Sequence, residues 1–274
     1  MQFDNVKFDN ITIIPPLPPT STLQYLVVAG GGSGGTCNDT HLYGGGGGAG
    51  GMLTGTISSG ITNGTTFTIT IGAGGTNNGQ IYSGVHVTSG NDSSLISASA
   101  NIYCYGGGKG GLGSAGGSDL PANGGSGGGQ GRNNPTNSYG IGVYPGSTYI
   151  DAPRQGYDGA NGGGSGGGGA GGSPSPNYNG GVGLSSSITG SAVTYATGGG
   201  AYTNSTPGGT NTGEGGGGGQ DSPWNLGGTG GSGIVVVRYA KTFADAASTT
   251  GSPTVTTSGS YKIYIFNSSG TITF

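Results

Sequence analysis

Glycine accounts for 72 of the 274 residues, and in the cleanest runs a side chain returns at every third position. From 108 to 118, for example, side chains recur at Lys109, Leu112, Ala115 and Ser118. A period of three fits neither an α-helix nor a β-strand, but it is the repeat of the polyproline-II conformation. Because that conformation has no internal hydrogen bonds, its amides must bond to neighbouring segments. The pattern therefore predicts a bundle of polyglycine-II helices, packed as a sheet or a hexagonal array through bare backbone.

The alternative is a flexible linker, which is the usual behaviour of glycine- and serine-rich chains. Ordering one residue costs about 1–2 kcal/mol, whereas a hydrogen bond returns about 1 kcal/mol. A single glycine helix therefore cannot persist, and an apolar sheet is needed to nucleate the array. With only seven basic and ten acidic residues, the chain lacks the self-repulsion of disordered polyelectrolytes. We predict an ordered, all-β or irregular fold: a polyglycine-II bundle, or sandwich, attached to a small β-sheet, with essentially no α-helix.

Apolar strands run directly into glycine at several places, and these junctions predict where the sheet lies. The strands are 23–29, 67–71, 101–105 and 192–197, and a fifth, 234–239, is entered from glycine. The passage is smooth because β and polyproline-II dihedral angles are neighbours. The continuous apolar run 234–237 predicts a strand covered on both faces. The candidate core residues are Leu26, Val27, Val28, Ile69, Ile71, Ile102, Ile234, Val235 and Val237.

The chain divides into four predicted regions. Residues 1–22 form a leader with a proline spacer, 23–240 the glycine-rich domain, and 241–253 a linker. Residues 254–274 are predicted as a β-hairpin, in which 261–266 and 271–274 are joined by Asn-Ser-Ser-Gly. Because an isolated two-stranded hairpin is marginal in water, we expect it to dock on the main sheet or on copies of itself.

The N-terminal segment predicts an anchor peptide. Phe-Asp-Asn occurs at 3–5 and again at 8–10, before Ile-Thr-Ile-Ile and a proline cluster. This composition is typical of an extended strand followed by a stiff spacer. Its alternative is a frayed terminus. The residues predicted to enter a partner protein are Phe3, Phe8, Ile11 and Ile13.

Several functions are disfavoured by composition. No 18-residue apolar stretch predicts a membrane span, and the first residues lack the pattern of a signal peptide. The scarcity of basic residues argues against nucleic-acid binding. The glycine runs match dinucleotide-binding patterns only by chance, because no predicted helix follows them. We therefore expect no enzyme activity, no cofactor and no membrane insertion.

The metal-ligating residue types are too few for a recognisable centre. His41 lies near Cys37 and Asp39, but the spacing fits no compact zinc pattern. We therefore expect no metal site. Cys37 and Cys104 are the only cysteines, so one disulfide is open to the chain, although buried thiols are the simpler expectation.

The segment 132–158 and the single tryptophan are the candidate recognition residues. Tyrosine gives rigid, amphipathic contact area at low entropic cost, and neighbouring Arg and Asp side chains can hydrogen-bond sugar hydroxyls. The alternative is that these aromatic residues only shield the ends of the array. The candidates are Tyr139, Tyr144, Tyr149, Asp151, Arg154, Tyr157 and Trp224.

Four segments carry a resemblance to a known family. They are Tyr-Leu-Val-Val-Ala-Gly-Gly-Gly (25–32), Ile-Thr-Ile-Gly-Ala-Gly-Gly (69–75), Gly-Gly-Ser-Gly-Ile-Val-Val-Val-Arg-Tyr (230–239) and Phe-Asn-Ser-Ser-Gly-Thr-Ile-Thr-Phe (266–274). Together they resemble the glycine-rich domain of phage tail fibres and adhesins, especially of marine and cyanobacterial phages.

The resemblance implies a non-enzymatic protein of the virion surface, assembled in the host cytoplasm. It would be a tail-fibre or host-recognition component that presents end-loops to a glycan or protein of the host cell. Other virion proteins would hold it through residues 1–22, and fibre architecture implies a homotrimer. The first alternative is a decoration spike of the capsid or neck. An ice-binding protein or a secreted structural protein ranks below it.

Overall fold

The computed structural model describes residues 21–37, 42–78, 87–113, 119–132, 138–147, 153–175, 178–203, 205–220 and 226–274. Within these ranges there is no helix, and twelve strands alternate with long irregular segments. The strands are β1 (Leu23–Val28), β2 (Met52–Ile57), β3 (Thr66–Thr70), β4 (Ser93–Ser97), β5 (Ala100–Cys104), β6 (Leu184–Ser186), β7 (Val193–Tyr195), β8 (Ile234–Ala240), β9 (Ser248–Thr249), β10 (Thr254–Ser258), β11 (Tyr261–Phe266) and β12 (Gly270–Thr273). The prediction of an all-β, irregular fold is confirmed.

Two five-stranded antiparallel sheets pack face to face. The first sheet has the order β10-β11-β8-β1-β2, and the second has the order β5-β4-β3-β12-β9. The alternation of exposed and buried residues in β3, where only Phe67 and Ile69 turn inward, is typical of a sheet with one wet face. Large apolar side chains from both sheets fill the space between them, including Leu23, Phe67, Leu95, Val237, Phe266 and Ile272.

Strand β8 lies at the centre of the first sheet and is buried on both faces, as its apolar run predicts. Val235 and Val237 face the second sheet, whereas Ile234 and Val236 belong to another apolar cluster on the opposite face. The small β6–β7 hairpin covers that outer face with Ile188 and Tyr195. The other candidate core residues are also buried, except Ile71, which is partly exposed and packs against the core.

The glycine runs form a hexagonal array. Run 44–49 is surrounded by six other segments: its amides donate in rotation to three, and its carbonyl groups accept from three more. The accepting segments are 108–111, 165–168 and 216–219. The donating segments are 32–35, 126–129 and the residue Gly199. Residues three positions apart in run 44–49 bond to residues three positions apart in the same neighbour: Gly44 N–H donates to Gly219, and Gly47 N–H donates to Gly216. This is the pattern of a helix with three residues per turn and only lateral hydrogen bonds.

Steric contact explains why residues 44–48 are all glycine. A Cβ built on Gly44 would lie 1.9 Å from the carbonyl oxygen of Gly35, and one on Gly46 would lie 1.9 Å from that of Gly199. On the third column, a Cβ on Gly45 would lie 2.1 Å from the oxygen of Gly129. Because three neighbours close three columns, residues 44–48 have no side on which a side chain fits, and the first side chain of the run is that of Ala49.

The array has two distinct ends. Strands β1, β3 and β5 all enter it from the same side, which we call the sheet end. The opposite side, the far end, is where the runs turn; there Arg132 N–H donates to Tyr43 and Ala201 N–H donates to Tyr178. Thr36 lies seven positions after Ala29, so the array is about 20 Å deep at 3.1 Å per residue.

The predicted pairing at the C-terminus is wrong. Strands β11 and β12 are not paired with each other: β11 lies between β10 and β8 in the first sheet, whereas β12 lies between β3 and β9 in the second. The hairpin of this region is β10–β11 instead. Crossing from one sheet to the other places Phe266 and Ile272 in the shared core, which buries more apolar surface than an isolated hairpin does. Residues 248–249, inside the predicted linker, are strand β9.

Candidate functional site

Three of the residues predicted to bind a receptor come together in a stack. The Arg154 guanidinium lies 4.7 Å from the ring centroid of Tyr144 and 4.3 Å from that of Tyr157. One guanidinium nitrogen also donates to the Gly156 carbonyl group at 3.2 Å. A planar cation between two rings is attracted by both ring faces. Arg154 itself is exposed, so the stack presents charge and aromatic surface together.

The other predicted site residues are not part of this stack. Tyr139 is 42% exposed and lies five residues before Tyr144 on an extended run, about 15 Å away at 3.1 Å per residue. Tyr149, Asp151 and Trp224 lie outside the described residues. The predicted anchoring residues Phe3, Phe8, Ile11 and Ile13 also lie outside them.

The stack is held at the sheet end by Gln155. This side chain is 2% exposed; its amide oxygen accepts from Tyr105 N–H at 2.9 Å, and its amide nitrogen donates to the Tyr103 carbonyl group at 2.9 Å. A peptide group of a neighbouring parallel strand would bond in the same way. In addition, Met52 N–H donates to the Gln155 carbonyl group. Gln155 therefore joins the two edge strands β2 and β5.

We predict that Gln155→Leu lowers the free energy of unfolding by about 3 kcal/mol. The leucine fills most of the volume but removes both hydrogen bonds of the Gln155 amide, to Tyr105 N–H and to the Tyr103 carbonyl group, and each loss costs about 1–3 kcal/mol. Urea unfolding measures the change. The control is Asn101→Ala, at an exposed site on β5, the strand of Tyr103; this change should alter stability by less than about 0.5 kcal/mol. Equal stability of Gln155→Leu and wild type would contradict the bridging role.

A second aromatic cluster, which the sequence analysis does not predict, lies at the far end. The Tyr202 ring lies 4.3 Å from that of Tyr43 and 5.8 Å from that of Tyr178, between ring centroids. Arg132 lies 5.2 Å from the Tyr43 ring centroid. These four side chains come from four separate turns, so no local motif could reveal them. We call them the far-end cluster.

Two members of the far-end cluster have an unusual backbone. Tyr178 and Tyr202 have φ angles of 65° and 64°, in the left-handed region that bulky residues rarely enter. Both are 47% exposed. Strained backbone of this kind persists only when the surroundings impose it, and it is concentrated at functional sites. Here the strain is combined with two large aromatic side chains turned toward solvent.

The cysteines are buried thiols that are not joined to each other. Cys37 Sγ donates to the Leu42 carbonyl group at 2.9 Å, and Cys104 Sγ donates to that of Val27 at 3.3 Å. Burial raises the pKa of the Cys104 thiol, which makes it unreactive. Among the described residues no group of three metal-ligating side chains occurs, and His41 and His86 lie outside them. Nor does that part of the chain hold a helix long and apolar enough to cross a membrane.

Fold and surface together define an all-β protein in which a sandwich of two sheets supports a hexagonal array of glycine helices. The family described as a glycine-rich domain matches residues 10–240, well over half of the chain. The chain therefore belongs to this glycine-rich family. No curated protein and no solved structure matches it.

Proposed function

We propose that this protein is a non-enzymatic attachment protein of a phage particle, a tail-fibre or adhesin component that presents end-loops to a receptor on the host cell. The far-end cluster carries the proposal. It combines exposed tyrosine rings, a cation and strained backbone on the side of the array that lies opposite the sheets. Tyrosine and arginine are the residue types that recognition surfaces favour.

The array is well suited to hold such a surface. Its inner runs are fixed by hydrogen bonds to six neighbours and leave no space for rearrangement. Side chains at its far end therefore start from fixed positions, and little conformational entropy is lost when they bind. The resemblance to phage fibre proteins in segments 25–32, 69–75, 230–239 and 266–274 supplies the virion setting.

We predict that replacing both Tyr178 and Tyr202 by alanine weakens adsorption of particles to host cells by tenfold or more. Exposed aromatic side chains dominate binding energy at recognition surfaces, and two losses of about 1 kcal/mol or more each combine to that factor. Adsorption rate constants of particles that carry the variant measure the effect. Alanine tolerates a positive φ about as poorly as tyrosine does, so the substitutions add little backbone strain. The fold should therefore be retained, which circular dichroism can check.

The matched control is Val255→Ala, an apolar residue that is 53% exposed on the edge strand β10 of the first sheet. Its adsorption should equal that of wild type. If the tyrosine variant adsorbs normally, the far-end cluster is not the attachment surface. Antibody raised against the protein should label fibres or tail tips, whereas label over the head would favour the alternative of a decoration spike.

A further inference from the structure

A groove with a volume of 560 Å³ opens between the edge strands of the two sheets, next to the Arg154 stack. Tyr25 and Leu53 line it from the first sheet, and Ile102, Tyr103 and Tyr105 line it from the second sheet and its continuation. Pro153 and Gln155 complete the lining of the groove. This volume lies within the range of about 300–1,000 Å³ that is typical of small-molecule sites. We call it the lateral groove.

Tyr25 is fixed in the lateral groove by a glycine on the neighbouring strand. It lies directly opposite Gly55 in the pairing of β1 with β2. A Cβ built on Gly55 would lie 2.6 Å from the Tyr25 hydroxyl oxygen and 2.8 Å from the ring carbon that bears it. The phenol therefore crosses β2 where only glycine gives it room, and it reaches the edge of the sheet. Such a glycine–aromatic pair holds the ring in one orientation.

The second sheet contributes a pair of rings. Tyr103 and Tyr105 are 5.1 Å apart between centroids and are inclined at 74°, an edge-to-face arrangement. The Tyr103 hydroxyl donates to the Asp92 carboxylate, which also accepts from Gly106 N–H at 2.7 Å. This hydrogen bond raises the pKa of Tyr103 to about 12. Although it is anchored in this way, Tyr103 remains 40% exposed.

We infer that the lateral groove binds an uncharged carbohydrate, with the rings of Tyr103 and Tyr25 against the faces of pyranose sugars. None of the described residues that line it carries a charge, which disfavours an ionic ligand. The C–H-rich face of a pyranose is attracted to the negative face of an aromatic ring. The exposed amide of Asn101 supplies a donor and an acceptor for sugar hydroxyls.

A peptide strand is the competing ligand, because β2 and β5 are edge strands. Gln155 opposes that mode of binding. Its amide already bonds to Tyr105 N–H and to the Tyr103 carbonyl group, which are backbone groups that an added strand would need. What the groove still offers is side-chain surface, and that favours a sugar. The inference does not depend on the far-end cluster, since its test uses the isolated protein.

The test is binding of the full-length protein to an array of uncharged hexose and N-acetylhexosamine oligosaccharides, followed by calorimetric titration with the best one. We expect binding to at least one oligosaccharide. Tyr103→Ala should weaken it about tenfold, the value of one aromatic contact. Tyr103→Phe, which keeps the ring, should bind nearly as wild type does. Asn101→Ala, at an exposed position that does not disturb the fold, should also weaken binding.

Val255→Ala is the control, because this exposed residue of strand β10 does not line the lateral groove, and it should bind as wild type does. The inference is overturned if no oligosaccharide binds, or if Tyr103→Ala and Asn101→Ala bind as wild type does. Binding of an extended hexapeptide of alternating valine and threonine, without sugar binding, would also overturn it. Normal adsorption by the far-end variant would contradict the proposed function while leaving this result intact.

Discussion

Gly46→Ala should prevent the protein from folding, or reduce its free energy of unfolding by at least about 4 kcal/mol. The added Cβ would lie 1.9 Å from the carbonyl oxygen of Gly199 and 2.6 Å from the carbonyl carbon. Overpacking of a rigid site costs about 1–3 kcal/mol or more. Moving the runs apart would also lengthen lateral hydrogen bonds that are worth about 1 kcal/mol each. Soluble yield and thermal unfolding by circular dichroism measure the effect.

Gly172→Ala is the matched control for this change. The nearest atom to a Cβ there is a methyl carbon of Val182 at 3.1 Å, on a side chain that is 63% exposed and can move. Its unfolding temperature should stay close to that of wild type. If Gly46→Ala were also tolerated, the inner runs would not be closed on all three columns, and the hexagonal packing would have to be rejected.

Phe266→Ala should lower the free energy of unfolding by about 3–5 kcal/mol, the cost of deleting a fully buried phenylalanine. Phe266 is 0% exposed, and in the pairing of β11 with β8 it lies opposite Val235, at the centre of the first sheet. It is also the last residue before the chain crosses to the second sheet. Urea denaturation measures the loss, and Phe266→Leu should cost less because it leaves a smaller cavity.

The exposed Val255 on the neighbouring strand β10 is the control, and Val255→Ala should change stability by less than about 0.5 kcal/mol. Similar losses for Phe266→Ala and Val255→Ala would contradict the topology. They would mean that β11 does not pack into the core shared by the two sheets.

The sequence was informative wherever one local rule decides the structure. Strands such as 23–29 end where glycine begins, because β and polyproline-II dihedral angles are adjacent, and the observed β1 ends at Val28. The run 234–237 contains no polar residue on either face of the strand, so burial on both faces could be predicted from the sequence alone. The period of three predicted lateral bonding, and the structure selects the hexagonal packing over the single-layer alternative.

Long-range pairing was beyond local rules. The turn-like residues 267–270 are compatible with a hairpin, but they equally permit a crossing between sheets, which buries Phe266 and Ile272 together. The far-end cluster joins Tyr43, Tyr178 and Tyr202, which are far apart in sequence and meet only because the array aligns their turns. Of the predicted receptor residues, Tyr144, Arg154 and Tyr157 are brought together, although their role stays a prediction.

The array is held together by backbone hydrogen bonds, so the packing of its interior does not depend on which amino acids form the turns between the glycine runs. In an ordinary domain, a new loop must fit a core of interlocking side chains. Here a turn such as that beside Tyr202 can be lengthened, shortened or rewritten while Gly199 and Gly216 keep their register. The fold thus separates the part that must be conserved from the part that can be diversified. It is a natural starting point for libraries of engineered binders.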